Sequence, residues 1–351
     1  MAEYWLSFLQ FKQGENFSAS LQKANNHSPA FVFPFRSDDE EVLLWALGQS
    51  KNWKPSYYLA LIYKDRNRVE ECKKHFTSCG DMPDFAPFYA ARAELFTAAP
   101  GGKPVNDLNK AISLDKEQWR YYKLSSEYYI EHNQFKEALS VIEKFYHAHP
   151  QNYIIGMLYA KTLLLNKRYN EGDEVLSKLS IIPFEGATTG RELYREAKLM
   201  LAIKEMQNKN YEKGLQFISE AKIWPENLGV GKPYQNDVDE RLEEWMNYLC
   251  YNHINKPKEA QDALQKIIHF KPLVENTVSN FLPSNHLITA WALQKNGKSK
   301  EAANWLNHQI KLYPGNKILL WDKAIFEKTQ NVKSDINDAG VPLLKQLMQL
   351  Q

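Results

Sequence analysis

Cysteine is almost missing from this chain: three residues, Cys72, Cys79 and Cys250, stand among 351. An odd, sparse set cannot form a disulfide framework, so the fold must stand on its core. Glycine is scarce too, with 15 residues, below the ~7% of an average chain. Folds built from many strands and tight turns would need more. Neither sign of charge dominates: 44 Lys and Arg face 42 Asp and Glu, for a formal net charge of +2. No basic block stands ready to neutralise a row of phosphates, which argues against nucleic acid as a partner. No run approaches the roughly 18 apolar residues of a membrane span. The start, "MAEYWLSFLQFKQGEN", lacks a basic segment followed by an unbroken apolar core and a small-residue cleavage site. A soluble chain is therefore expected, cytoplasmic if Met1 is the native start, with the native compartment otherwise unknown.

What the chain has in plenty is aromatic side chains, 13% of the total, and a repeat. Five segments share one grammar: "FKEALSVIEKFYHAHP", "YNEGDEVLSKLSIIP", "YEKGLQFISEAKIWP", "PKEAQDALQKIIHFKP" and "SKEAANWLNHQIKLYP". A small residue sits at Ala138, Gly172, Gly214, Ala260 and Ala302, and a proline follows at Pro150, Pro183, Pro225, Pro272 and Pro314. The small residue lets a neighbouring helix come close, and the proline, which cannot continue a helix, marks its end. Upstream of each lies a second amphipathic stretch, such as "EQWRYYKLSSEYYIEHN" and "DVDERLEEWMNYLCYNH", with apolar residues at helical spacing. Each unit thus predicts a helical hairpin. The small residues are 34, 42, 46 and 42 positions apart, so the units begin near the tetratricopeptide length of about 34 residues and then lengthen.

Over residues 103–330 the chain resembles the tetratricopeptide-repeat family in these small, aromatic and proline positions. The fold class expected is all-α, an α-solenoid of helical hairpins wound as a tetratricopeptide-like right-handed superhelix with at least ten helices. Residues 1–102 read as irregular helical repeats continuous with the regular, lengthened units of 103–351. There, "GENFSASLQKA" resembles half a repeat, residues 56–79, 85–97 and 105–114 read as helices, and Ser37 with Glu40 suggests a capping box. Three stretches, "VFPFRSDDEEVLLWA", "WKPSYYLALIY" and "WPENLGVGKPY", resemble more narrowly the C-terminal repeat region of a family of uncharacterised bacterial proteins. The upstream part of that family is similar to a galactose-mutarotase-like β-sandwich. That resemblance implies a fragment of a larger protein, a carbohydrate context, and no catalytic residues in this portion.

Several residue groups invite chemical readings. "NLGVGKPY" has two glycines and a lysine like a phosphate loop, but it lacks the G-x-x-x-x-G-K-[ST] spacing and follows a helix rather than a strand, so it reads as a turn. Cys72, His75 and Cys79 share helical spacing as a metal triplet would, yet Val69, Cys72 and Phe76 make an apolar stripe in which a cysteine is simply a small buried residue. His147 and His149 suit the negative end of a helix before Pro150. Glu240, Glu243 and Glu244 alternate with Arg241 like a solvated face. The aromatic clusters "YYLALIY" and "YYKLSSEYY" could stack on sugars but are spaced for core packing. No catalytic, cofactor or metal site is expected.

The leading function is a non-catalytic protein-binding scaffold whose concave face receives a protein or peptide, including an upstream domain of the same native chain. The alternative is an accessory region of a carbohydrate-active enzyme that packs on a β-sandwich or contacts glycan. Taking Ala138 as repeat position 20 makes Tyr122 and Tyr129 core residues and turns Arg120, Lys123 and Glu127 towards the groove. The same count predicts Ile154, Met157 and Lys161 in the next unit, and Leu242 and Trp245 further on. This mixed basic and apolar lining suits an acidic or amphipathic partner.

Overall fold

The computed structural model describes residues 1–96, 103–184, 187–234, 237–271, 284–329 and 340–350. The chain is an all-α solenoid of helical hairpins, and no β-strand forms among the described residues. It divides into two compact units, Met1–Phe145 and Tyr146–Gln351.

The first unit contains α1 (Ala2–Lys12), α2 (Ser18–Asn26), α3 (Ser37–Gln49), α4 (Lys54–Asp65), α5 (Val69–Cys79), α6 (Ala86–Leu95), α7 (Lys103–Leu114), α8 (Trp119–Glu131) and most of α9 (Phe135–Ala148). The expected helix over 56–79 is thus two helices, α4 and α5, packed as a hairpin. Their contact is aromatic, the Tyr57 and Phe76 rings lying 6.2 Å apart, and Phe88 of α6 meets both at 5.6 and 5.5 Å. Tyr57, Tyr58 and Tyr63 of "YYLALIY" are all buried. At the start of α3 the capping carboxylate is Asp39 rather than Glu40. Asp39 Oδ2 accepts from the Arg36 N–H at 3.3 Å, one residue earlier than the spacing suggests. Glu40 turns away to bind Tyr63, Arg66 and Arg68.

The second unit contains the end of α9, then α10 (Tyr153–Leu165), α11 (Tyr169–Lys178), α12 (Thr189–Gln207), α13 (Tyr211–Ala221), α14 (Arg241–His253), α15 (Pro257–His269), α16 (Asn285–Lys295), α17 (Ser299–Leu312), α18 (Lys317–Phe326) and α19 (Gly340–Met348). In each hairpin we call the first helix A and the second B, so that α10, α12, α14 and α16 are A-helices.

One turn joins A to B again and again. The residue in left-handed conformation is Asn67, Asn133, Lys167, Lys209, Asn255 or Gly297, and Lys328 closes the end of α18 in the same way. The next residue donates its N–H back across the helix end, as in Gln134 to Tyr129 O at 2.8 Å and Arg168 to Leu163 O at 2.9 Å. This is the Schellman closure, which satisfies carbonyls that the helix end would leave bare. Five residues after Asn133, Lys167, Lys209, Asn255 and Gly297 comes the small residue of the repeat, and Ala138, Gly172, Gly214, Ala260 and Ala302 are all buried. A Cβ on Gly172 would meet Leu164 Cδ2 at 2.8 Å, which shows how close the paired helix comes. Five residues after Asn67 stands Cys72, fully buried. The α4–α5 hairpin therefore obeys the same frame, with a thiol where the others carry Ala or Gly.

"WPENLGVGKPY" is a turn with one short 3-10 segment, Glu226–Leu228. Gly229 is left-handed at φ 68°, and a Cβ there would come within 2.9 Å of the Ile181 carbonyl. Asn227 ties the turn to α11 by donating to Leu176 O and Leu179 O, at 3.0 and 2.9 Å. Gly229 thus serves a close backbone approach.

Candidate functional site

The A-helix faces predicted to line a groove fall into two kinds. The first is open. On α8, Arg120 is exposed and its guanidinium lies 4.5 Å over the Trp119 ring. Lys123 and Glu127, half-buried, pair at 2.7 Å one helical turn apart. The opposite side of α8 holds the hairpin, where Ser126 Oγ donates to Ala138 O at 3.2 Å and Tyr121 is buried. Tyr122 and Tyr129 are half-buried rather than core. Tyr122 leans on Phe145 with centroids 4.4 Å apart while its hydroxyl reaches out to Lys116 O, because a phenol keeps its polar end near water.

On α10, Asn152 caps the first turn by accepting from the Ile155 N–H. Ile154 and Met157 are half-buried, and Lys161 is exposed with Glu196 of α12 as its charged neighbour. These three sit at i, i+3 and i+7 and share one face. The α8 triplet belongs to the first unit and the α10 triplet to the second.

The second kind is closed, and here the expectation needs correcting. Leu242 is 1% exposed and Trp245 0%, so neither reaches solvent. Both belong to an apolar cluster with Leu199, Met200 and Ile203 of α12, Trp291 of α16, and Leu343, Leu344 and Leu347 of α19. The A-helices here are buried nearly all round: positions 241–246 on α14 and 285–293 on α16 are buried without interruption. Their B partners bury only one stripe, as in α15 with Ala260, Ala263, Leu264 and Ile267. A helix buried on every side is sandwiched between layers.

The acidic cluster at the start of α14 is likewise interior and not a solvated face. Glu243 and Glu244 are buried together with Arg241, and each charge has a partner on another element or on the preceding turn. Arg195 of α12 forks onto Glu243 at 2.5 and 2.9 Å. Burial would lower the Arg195 pKa, but Glu243, Asp239 and Glu240 outweigh it and leave the guanidinium above its ordinary range. Asp239, fully buried, accepts from Arg241 and from Asn285 Nδ2, while Arg241 Nη1 donates to Thr289 Oγ1 at 2.9 Å. Burial pushes the Asp239 carboxyl up, and these partners hold it below the usual range all the same. Glu244 takes Lys222, just past the end of α13, and Lys266 of α15. Its carboxyl is likewise depressed, because the two ammonium groups and Asn247 overcome the burial. His286 sits beside this network, its pKa pushed down to about 3 first by burial and then by Arg241. Helices α12, α14 and α16 are thus tied to one another by hydrogen bonds to buried charged groups.

Cys72, Cys79 and Cys250 are buried free thiols, and burial pushes Cys79 and Cys250 up to about 12. No group of three or more His, Cys, Asp or Glu able to hold a metal ion occurs among the described residues. No helix among them is long and apolar enough to cross a membrane.

One further surface went unread in the sequence. Between α2 and α3 the chain turns at Phe31, which is left-handed at φ 60°, and carries Phe31, Phe33 and Phe35 at 93, 73 and 70% exposure, while Pro34 is buried and Val32 half-buried. The signal was the alternation "FVFPFR", which has the period of a strand.

No protein-family model matches this chain, and no curated protein matches it. Among solved structures it is similar to a tetratricopeptide repeat protein from Parabacteroides merdae, with 10% identity, 79% of this chain and 100% of the other covered, and a TM-score of 0.44. It is also similar to the C-terminal part of a repeat-containing protein from Cytophaga hutchinsonii, with 12% identity, coverage of 78% and 98%, and a TM-score of 0.47. A third likeness is to PilF of Pseudomonas aeruginosa, with 14% identity, coverage of 63% and 93%, and a TM-score of 0.34. At these identities the likeness concerns the fold.

Proposed function

We propose that the chain is a non-catalytic scaffold that binds a protein or peptide through the open faces of its A-helices. The observation that carries this reading is the contrast on α10: Ile155, Leu158 and Tyr159 are buried against neighbouring helices, while Ile154, Met157 and Lys161 stay accessible on the remaining face. Two apolar residues and a cation at helical spacing suit an amphipathic helix that carries acidic residues at its edge. The α8 face, with Arg120, Lys123 and Glu127, offers a polar rim of the same kind. A displayed library of acidic amphipathic peptides tests the idea. Binders selected on the wild-type chain are expected to lose at least tenfold in affinity on Lys161→Glu or Met157→Asp, with an unchanged melting temperature. Equal binding to both variants would remove this face from consideration.

A second reading has one observation in its favour. The Phe31, Phe33 and Phe35 side chains are too exposed for a segment meant to face water alone, and Phe33 and Phe35 belong to a stretch whose resemblance implies an upstream β-sandwich. In this reading the first unit packs on that sandwich, or the rings meet glycan. Whatever domain the native reading frame encodes before Met1, expressed separately, should bind the wild-type chain and not a Phe31→Ser/Phe33→Ser variant. Binding of a glycan array that this variant abolishes would favour the sugar, and a native start at Met1 would end the sandwich reading.

A further inference from the structure

In a helical solenoid each hairpin packs on its immediate neighbours and on nothing more distant. The second unit follows that rule up to α18, which packs against α16 and α17. Helix α19 breaks it. It rests against α12, and Gln346 Nε2 lies 4.0 Å from Met200 Sδ across 146 positions of sequence. Among the described residues no second helix pairs with it as a hairpin, and it shows none of the repeat grammar. What it brings is one apolar edge: Leu343, Leu344 and Leu347 are 6, 1 and 0% exposed, while Lys345 and Met348 face out. Those three leucines enter the same cluster as Leu199, Leu242 and Trp245, the last two being residues that the repeat frame assigns to the groove.

Leu242 and Trp245 sit at groove positions of the repeat frame, and the cluster that buries them takes in both the α19 leucines and the α12 surface on which α19 rests. We infer that α19 is a ligand in cis: the A-helix surface of α12 is a binding site for an amphipathic helix with apolar residues at i, i+1 and i+4, and a partner protein presenting such a helix binds by displacing α19. The seated helix defines that partner's chemistry. It is short, about two and a half turns, and a helix of that length has little stability of its own in water. Its docking therefore depends on the surface beneath it. Being part of the same chain, it competes at an effective concentration on the order of millimolar, so an external helix binds the intact protein weakly until α19 is removed or outcompeted.

The inference deepens the scaffold reading and rests on it, yet its test uses neither α8 nor α10, so either can fail alone. A fluorescein-labelled peptide of residues 340–351 is titrated against the full chain and against a Leu344→Asp/Leu347→Asp variant, with anisotropy as the readout. The variant is expected to bind the peptide at least tenfold more tightly than the wild type. A peptide carrying the same two aspartates should bind neither protein. Equal or weaker binding by a variant that still melts cooperatively would overturn the inference. So would an exchanged dimer, in which light scattering shows two chains with α19 traded between them. Should the variant lose cooperative melting, hydrogen exchange on the wild-type chain decides. Amides of α19 exchanging at least tenfold faster than those of α14 support a displaceable helix; exchange together with α14 makes α19 permanent core and refutes it.

Discussion

Helices α8 and α14 hold the same place in the repeat and live in opposite surroundings. Each is an A-helix, each ends in a left-handed Asn followed by the same Schellman closure, and each faces a small residue five positions beyond that Asn. Yet α8 buries Tyr121, Ser125 and Ser126 and leaves Lys123 and Glu127 half in water, whereas α14 is closed over Leu242, Glu243, Glu244 and Trp245. A repeat position fixes which way a side chain points. Whether it meets solvent depends on what the rest of the chain lays over that face.

The widest separation between the two helices should come from truncating their groove positions. Trp245→Ala removes a fully buried indole and is expected to cost about 3–5 kcal/mol, and Glu243→Ala, which strands Arg195 in the interior, about the same. Lys123→Ala on α8 should cost no more than about 0.5 kcal/mol, the worth of an exposed pair one turn apart. Urea denaturation of the three variants would measure the contrast directly. Similar midpoints for Trp245→Ala and Lys123→Ala would abolish it.

Acid should find the closed region first. His286 stays neutral in the fold down to about pH 3, against an ordinary value of 6.5. Between those values the unfolded chain binds the proton and the folded chain does not, so stability falls as pH drops below about 6.5 and goes on falling to about 3. Asp239 and Glu244, both depressed, act in the same sense lower down: their contribution is present above the ordinary carboxylate range and is lost as pH falls through their folded values. Thermal melts from pH 7 to 4 should show the decline. His286→Gln should flatten its upper part and leave the carboxylate part in place.

Overpacking the frame residue comes next in size. Ala302→Leu and Ala138→Leu, both at fully buried positions, should each cost roughly 1–3 kcal/mol. Because the small residue faces its own A-helix in open and closed hairpins alike, the two costs should be similar, and a large difference would mean that the hairpins are built differently.

How much of this could be read beforehand follows from how local each signal is. The hairpins are legible because their turn and their small residue lie five positions apart, a distance over which sequence and geometry determine each other. The α4–α5 hairpin was missed only because Cys72 stands where Ala or Gly was sought. The burial of Leu242 and Trp245 is not legible, since the residues that join their cluster come from α12, α16 and α19, all distant in sequence. Nor is the interior of the acidic run: charges alternating on one helix look solvated until Arg195, Lys222 and Lys266 arrive from three other places in the chain. Phe31, Phe33 and Phe35 alternate plainly, but inside a chain read as helical their period carried no weight.

The smallest expected effect on stability belongs to α10, and there it matters most that it be small. Lys161 is exposed and Met157 only half-buried, so Lys161→Glu should shift the melting temperature hardly at all, while placing a second carboxylate near Glu196 of α12. Two like charges repel by an amount that salt screens within a Debye length of about 8 Å at physiological strength. Stability should therefore drop by no more than about 0.5 kcal/mol in low salt and recover in high salt. Binding should respond differently: an acidic partner loses a cation and gains a repelling charge, a loss that appears chiefly in the association rate. A variant whose stability falls by several kcal/mol would place Lys161 in a closed region like that of Trp245, and α10 would then be no more open than α14.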